Sequence, residues 1–328
     1  MSHRLCVAPM MDVTDRHCRY FHRLLAPNSR LYTEMITANA VLNGDRIKLL
    51  EFDERENPVA LQLGGSDPKT LAKASLIGSE MGYKEINLNC GCPSNRVVSG
   101  NFGASLMKSP NLVADCVSAM INSSDTLISV KHRLAINGIN NYEFTYKFVE
   151  IVRSAGCNVF IVHARNALLG SLSPKKNRTV PPLKMHFVSQ LKKDFPDTKF
   201  IANGGLSTVQ ECLNLLSLKA KMANLEPVDG VMIGRETIQN PWILVQLERA
   251  LFSANSKLPE SPDRLIEHLQ KYFEAQVKLG FHPWSITKNW SYLFKNYPGS
   301  KMWRSSLASG LCPTEAYKKA NLSLSFTC

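Results

Sequence analysis

Eight short runs rich in Val, Ile and Leu punctuate the first 235 residues, at 4–10, 31–36, 59–65, 85–90, 127–133, 159–165, 199–205 and 230–235. Between most of them lie segments of helical spacing, such as 68–81, 110–121 and 142–155, so the order reads strand, helix, strand throughout. Alternation of this kind implies a parallel sheet. Eight units in that length match a closed (β/α)8 TIM barrel better than an open doubly wound sheet, which usually has fewer strands. At 328 residues the chain leaves room for a smaller addition to a barrel of about 250. Past Arg235 the pattern changes: 241–252 and 264–279 have helical periodicity, a third helix is expected over about 285–294, and no further strand is evident. The expected organisation is a barrel over 1–245, an all-helical unit over 246–313 and a tail over 314–328. The polar stretch SANSKLPESPDR (253–264) reads as the connection between the first two.

Hydrophobic residues make up 44% of the chain and charged ones 20%, enough to bury a sizeable core and to exclude wholesale disorder. Lys and Arg total 39 against 27 Asp and Glu, a formal net charge of +12, which favours a polyanionic partner through phosphate neutralisation. Nine cysteines without paired spacing read as reduced thiols, so a cytoplasmic protein is expected. No stretch reaches the roughly eighteen apolar residues of a membrane span, and no targeting segment is recognised at the amino terminus. A monomer is the expected state.

In such a barrel the carboxyl ends of all strands converge on one face, and polar residues there are the candidates for function. The first run ends in Pro9-Met10, the third contains Gln62, the fourth leads into Asn89-Cys90-Gly91-Cys92, the fifth carries Lys131, and the sixth ends at His163 and Arg165. Asn203-Gly204-Gly205 and Gly234-Arg235 close the seventh and eighth, the two places where this fold often binds phosphate on backbone N–H groups. Each glycine pair taken alone could be a tight turn, Lys131 an ordinary exposed lysine, and His163 a hydrogen-bonded core histidine. Their convergence on one rim suits a flavin, whose ring has amide-like edges and whose reduced form carries negative charge that Lys131 would stabilise. Cys90 and Cys92 lack the further ligands that a zinc site needs, so no metal is expected. Cys92, at the start of a loop expected to be mobile, can act as general acid, because a thiol of pKa near about 8.5 stays protonated at neutral pH. Cys90 reads as a small buried thiol.

The chain resembles the tRNA-dihydrouridine synthase family through APMMDVTDRHCR (8–19), LYTEM (31–35), ALQLGGSDP (60–68), EINLNCGCPS (85–94), FGASLM (102–107), VKHR (130–133), VHAR (162–165), NGG (203–205) and GVMIGR (230–235). RHCRYF (16–21) with SPKKNR (173–178) resembles the A-type, DusA-like, branch, which acts on D-loop uridines, typically 20 and 20a. The resemblance implies FMN held by Pro9, Met10, Met11, Gln62, Lys131 and His163, with its phosphate at Asn203, Gly204, Gly205, Gly234 and Arg235. It also implies NADPH as reductant, hydride delivery to C6 of uracil and protonation of C5 by Cys92. Asn89 and Arg165 would lie by the substrate. A uracil must leave its stack to reach such a pocket, so phosphate contacts around the mouth are needed. By the resemblance, Lys175 with Arg178 and Lys301 with Arg304 would grip the tRNA elbow and D-loop; otherwise they are solvated basic faces. Ser305 and Thr287-Lys288-Asn289 depart from a more basic pattern in A-type relatives. Cys90 stands where they often carry an aliphatic residue, and His132 where threonine is frequent. Two further readings share these residues: a dihydroorotate-dehydrogenase-like FMN barrel acting on free pyrimidines, and a tRNA chaperone that keeps a flavin only structurally.

Overall fold

A computed structural model describes residues 3–139, 141–217, 226–252, 258–259 and 261–322. Its eight strands are β1 (Leu5–Val7), β2 (Leu31–Thr37), β3 (Val59–Gly64), β4 (Glu85–Cys90), β5 (Leu127–Arg133), β6 (Val159–His163), β7 (Lys199–Asn203) and β8 (Gly230–Ile233). They pair in the order β1-β8-β7-β6-β5-β4-β3-β2, every neighbour parallel. A bridge between Cys6 and Arg30 joins the two ends: Val7 N donates to Arg30 O at 2.9 Å, and Arg30 N donates to Leu5 O at 2.8 Å. The barrel expected from the alternation is therefore closed.

Strand period two divides the side chains between two environments. Leu61, Leu63, Ile86, Leu88, Cys90, Val130, Phe160, Val162 and Phe200 face outward into one core shared with the helix layer. Cys6, Ala8, Tyr32, Ala60, Val159, Ile161, Ile201 and Met232 form a separate apolar cluster inside the barrel. The other half of the interior is polar, since the register sets Gln62 beside Asn87, Asn87 beside Ser129, and Asn89 beside Lys131. At the lower end, Gly230 is dictated by space, because a Cβ there would lie 1.9 Å from the carbonyl oxygen of His3.

Helices cover the barrel between strands, and their starts are encoded locally. Asp15 accepts from Cys18 N ahead of Arg16–Leu25, Asp67 precedes a Pro-initiated Pro68–Glu80, and Thr208 with Glu211 forms a capping box on Val209–Leu216. Pro110–Ser123 and Tyr142–Ser154 match the expected helices closely, and Trp242–Phe252 follows β8. Five strands end earlier than the apolar runs suggested: β1 at Val7, β3 at Gly64, β6 at His163, β7 at Asn203 and β8 at Ile233. Beyond these points the chain leaves the ladder for the rim, and Pro9 has no N–H to donate to it.

The carboxyl-terminal unit comprises Pro262–Lys278, Pro283–Thr287, Ser300–Ala308 and Pro313–Lys319. The helix expected over 285–294 is instead a short helix passing into a 3-10 turn, Lys288–Trp290, whose buried Trp290 faces the core. The last two helices lack a sequence signal of their own; Trp303, Leu307 and Ala316 make them helical by burial in the common core. Pro313–Lys319 occupies the start of the tail, where no pattern was readable, while 323–328 lie outside the described residues. Of the polar connection, 253–257 and 260 also lie outside them, and Ser261 already caps the next helix. Among the described residues no helix is long and apolar enough to cross a membrane, and no cluster of three or more His, Cys, Asp or Glu is placed to hold a metal.

Candidate active site

Strands β3 to β8 deliver their last inward side chains to one rim. Asn89, on β4, uses its Oδ1 to accept the backbone N–H groups of Gly91 at 3.0 Å and Cys92 at 2.9 Å. The carbonyl of Cys92 accepts from Ala104 N at 2.9 Å, and that of Gly91 accepts from Arg133 Nε at 3.2 Å. Gly103 sits close enough that a Cβ would meet the Cys92 oxygen at 2.7 Å, and its φ of +68° suits only glycine comfortably. The loop expected to be mobile is thus anchored on both sides of its cysteine. Cys92 is half-buried, with Sγ 3.5 Å from Ser94 Oγ, while Cys90 is fully buried on the outer face of β4.

Beside Cys92 stands Lys131, whose Nζ donates to Asn203 Oδ1 at 3.1 Å; Asn203 Nδ2 donates in turn to Met232 O at 2.8 Å. Burial, with the nearby Arg133 guanidinium, lowers the Lys131 ammonium to about 7, while Cys92 acts in the opposite sense. Two residues on, Arg133 projects inward as well, donating to Gly91 O, Asn166 O and Asn177 O. Burial lowers its pKa to about 10, an effect opposed by Cys92 and reinforced by Arg178 and Arg165. Sequence reasoning passed over Arg133, although its period-two spacing from Lys131 on one strand is a readable signal.

His163 packs against the turn after β7: a Cβ on Gly204 would come within 2.7 Å of its Cδ2, and Gly204 adopts φ +114°. Burial first, then Arg133, Lys131, Arg165 and Arg235, holds the imidazole well below its ordinary pKa, so it is neutral at pH 7. Arg165 donates to the carbonyl oxygens of Thr179 and Pro181, and its Nε is buried without a partner. Exposed Arg235 reaches the Arg178 carbonyl at 3.5 Å, and Gly234 lies with Met10 Sδ 3.6 Å from where its Cβ would be. Met10 is fixed by Thr14, whose Oγ1 accepts from Met10 N at 3.0 Å; Pro9 is half-buried beside it, and Met11 is 54% exposed.

The rim thereby gathers Lys131, Arg133, Arg165, Arg178 and Arg235, and among the described residues no salt bridge joins any of them to a carboxylate. Uncompensated cations clustered at strand ends beside two glycine turns fit a bound anion. The residues present also fit a flavin carrying a phosphate. Gln62 keeps one amide hydrogen beyond the one it gives Asn87, Lys131 offers an ammonium, and Arg165 Nε is an orphaned donor.

The long connection after β6 is organised by Asn177, fully buried, whose side chain accepts from Leu168 N and donates to Leu168 O and Leu172 O. It presents Arg178, exposed beside Arg133 and Arg235, at the end of a 3-10 turn, Lys176–Arg178, with exposed Lys175 just before that turn. Lys301 and Arg304 lie elsewhere, on Ser300–Ala308, where Arg304 stacks 5.9 Å from the centre of the Tyr292 ring. Lys288 and Asn289 turn inward to the loop after β1, Lys288 pairing with Asp15 at 2.8 Å and bonding Asp12 O, and Asn289 bonding Val13 O. His132 is a core residue between Phe148 and Phe160, its pKa lowered to about 4 by burial.

The family model described as dihydrouridine synthase matches residues 6–327. A tRNA-dihydrouridine(20/20a) synthase of Synechocystis is 48% identical over 304 residues, covering 93% of this chain and 88% of that relative. One from Xanthomonas campestris pv. campestris is 48% identical over 310 residues, 94% of this chain and 89% of the relative. Among solved structures, a 2-naphthoyl-CoA reductase complex superposes with TM-score 0.52 at 12% identity over 76% of this chain and 50% of that one, a likeness of fold alone.

Proposed function

Since this chain belongs to the dihydrouridine synthase family, we propose that it reduces the C5=C6 bond of a D-loop uridine in tRNA, at the 20 or 20a position that its relatives' names carry. FMN is the proposed flavin, NADPH its reductant and Cys92 the general acid. The observation that carries this reading is the placement of Cys92, held by its backbone at the mouth of a barrel whose rim gathers Arg133, Arg165, Arg178 and Arg235 without a carboxylate partner among the described residues.

Reduced FMN would supply a hydride equivalent to C6 of uracil. The C4 carbonyl conjugated to that double bond makes C6 electrophilic and leaves enolate character reaching C5. The Cys92 thiol then gives its proton to C5, and the thiolate left behind lies in the field of Lys131, Arg133 and Arg178. Lys131, neutral His163, Gln62 and Met10 would hold the flavin ring, and the turns at Asn203-Gly204-Gly205 and Gly234-Arg235 its phosphate. Asn89, with Oδ1 committed to the loop, has only its second amide hydrogen left for a uracil edge. Arg165 and the Lys175/Arg178 turn would take tRNA phosphates around the extruded nucleotide.

Dihydrouridine measured by mass spectrometry in unmodified tRNA, after incubation with protein, FMN and NADPH, tests the proposal. Product from wild type and a loss of at least about a hundredfold in Cys92→Ala are expected, in line with the 10²–10⁴-fold contribution of a positioned acid. A flavin-loaded, NADPH-reducible protein that forms no dihydrouridine would overturn it.

A further inference from the structure

A chain of hydrogen bonds runs up the polar half of the barrel interior from Glu85 to the backbone of Cys92. At the lower end the Glu85 carboxylate, fully buried, meets three hydrogen-bond donors, His3 Nε2 at 2.8 Å, Tyr32 OH at 3.0 Å and Ser129 Oγ at 2.5 Å, and forms an ion pair with the Arg30 guanidinium at 2.9 Å. Ser129 Oγ accepts from Asn87 Nδ2 at 2.8 Å, Asn87 Oδ1 from Gln62 Nε2 at 2.8 Å, and Gln62 Oε1 from Asn89 Nδ2 at 2.9 Å. Asn89 Oδ1 then takes the N–H groups of Gly91 and Cys92. Asn87 and Ser129 are fully buried, Gln62 and Asn89 nearly so.

The direction of every link follows from the first. An ionised carboxylate only accepts, so the single hydrogen of Ser129 is committed to it and the Ser129 oxygen can only accept from Asn87. That turns the Asn87 oxygen toward Gln62, the Gln62 oxygen toward Asn89, and the Asn89 oxygen toward the loop. Although burial opposes ionisation, contact with His3, Arg30 and Ser129 holds the Glu85 carboxyl below its ordinary pKa, so it is charged at neutral pH. Were Ser129 instead to donate to Asn87, the amides would reverse and Asn89 would set an NH2 group against two N–H donors, releasing the loop.

We infer that Ser129 and Asn87 are positioning residues which, through Gln62, relay the polarity of Glu85 over about 13 Å of strand and so hold the Cys92 backbone in place. The inference rests on the proposed role of Cys92 as proton donor for its kinetic consequence alone; the structural consequence is independent of it. Neither residue touches the rim.

Hydrogen exchange read by mass spectrometry on the peptide containing residues 90–93 tests the relay, together with steady-state reduction of tRNA. In Ser129→Ala, exchange over 90–93 should rise roughly tenfold, as expected for loss of one buried hydrogen-bond partner, while Tyr142–Ser154 exchanges as in wild type. The kcat should fall about tenfold with KM for tRNA unchanged, because the tRNA cations sit on other elements. Ser129→Thr, which keeps the hydroxyl, should restore both. Asn87→Ala should repeat the Ser129→Ala pattern and stands in for it if that variant fails to fold. Wild-type exchange over 90–93, or a rise spread evenly over the chain in both alanine variants, overturns the relay. Wild type inactive on tRNA refutes the proposed reaction, and the exchange result then decides the relay separately.

Discussion

Lys131 carries the sharpest electrostatic conflict on the rim. Its pKa of about 7 means that charge at this position is costly until an anion arrives. In the unfolded chain a lysine titrates near 10.4, so between about pH 7 and 10 the unfolded state holds a proton that the folded state lacks. Stability of the flavin-free protein should therefore rise with pH across that window through this residue, and be insensitive to it below pH 7, where both states are protonated. The unfolding free energy of wild type minus that of Lys131→Met should rise from pH 7 to 9 in denaturant titrations; a flat difference would refute the assignment. Other rim residues divide by legibility. Gln62, Lys131, His163 and Cys92 could be read from their strand ends, and the buried state of Cys90 from its place in an apolar run. Arg133, Asn87, Ser129 and Asn177 were missed, because a polar residue inside a barrel looks like any other until the register shows which neighbours satisfy it.

At the scale of elements, the connection between β6 and β7 depends on Asn177 as the strands depend on the core. Its amide satisfies Leu168 at both N–H and C=O, and its own carbonyl takes the Arg133 guanidinium. Asn177→Ala should cost about 1–3 kcal/mol of local stability, seen as faster proteolysis within 166–184 and weaker tRNA binding, with the global melting transition shifted much less. Equal loss across the molecule would show that the turn is not a separate cooperative unit. Element type was legible for the strands and for the helices Pro68–Glu80, Pro110–Ser123 and Tyr142–Ser154, because the apolar period switches between two and 3.6, whereas the helix Met185–Asp194 after this connection was not foreseen. Element ends were not, since a ladder stops where neighbouring strands diverge, which is a property of the assembled barrel.

For the whole molecule, the helical unit does two things at once. Through Tyr20 stacked on Tyr272 with centroids 3.8 Å apart, and through Lys288 and Asn289 on the loop after β1, it braces the barrel beside Met10. We propose that Lys301 and Arg304 provide its contact with tRNA phosphates. The double variant Lys301→Ala/Arg304→Ala should weaken tRNA binding and reduce the slope of log K against log salt by roughly 1.4–1.8, at about 0.7–0.9 per lost phosphate contact, leaving flavin affinity unchanged. Lys288→Ala should do the reverse, raising the flavin dissociation constant a few-fold with the salt slope intact. An unaltered slope in the double variant would place the RNA elsewhere.

From the sequence alone came the barrel, the family resemblance, the cysteine and most of the rim, because hydrophobic period and local motif are written in consecutive residues. Only the tertiary structure decided that the Thr287-Lys288-Asn289 departure clasps the barrel, that the last helices exist, and that the polar interior is directional. Each of these depends on groups far apart in the chain, such as Lys288 with Asp15 or Ser129 with Glu85, whose pairing is set by burial against a common core rather than by their neighbours in sequence.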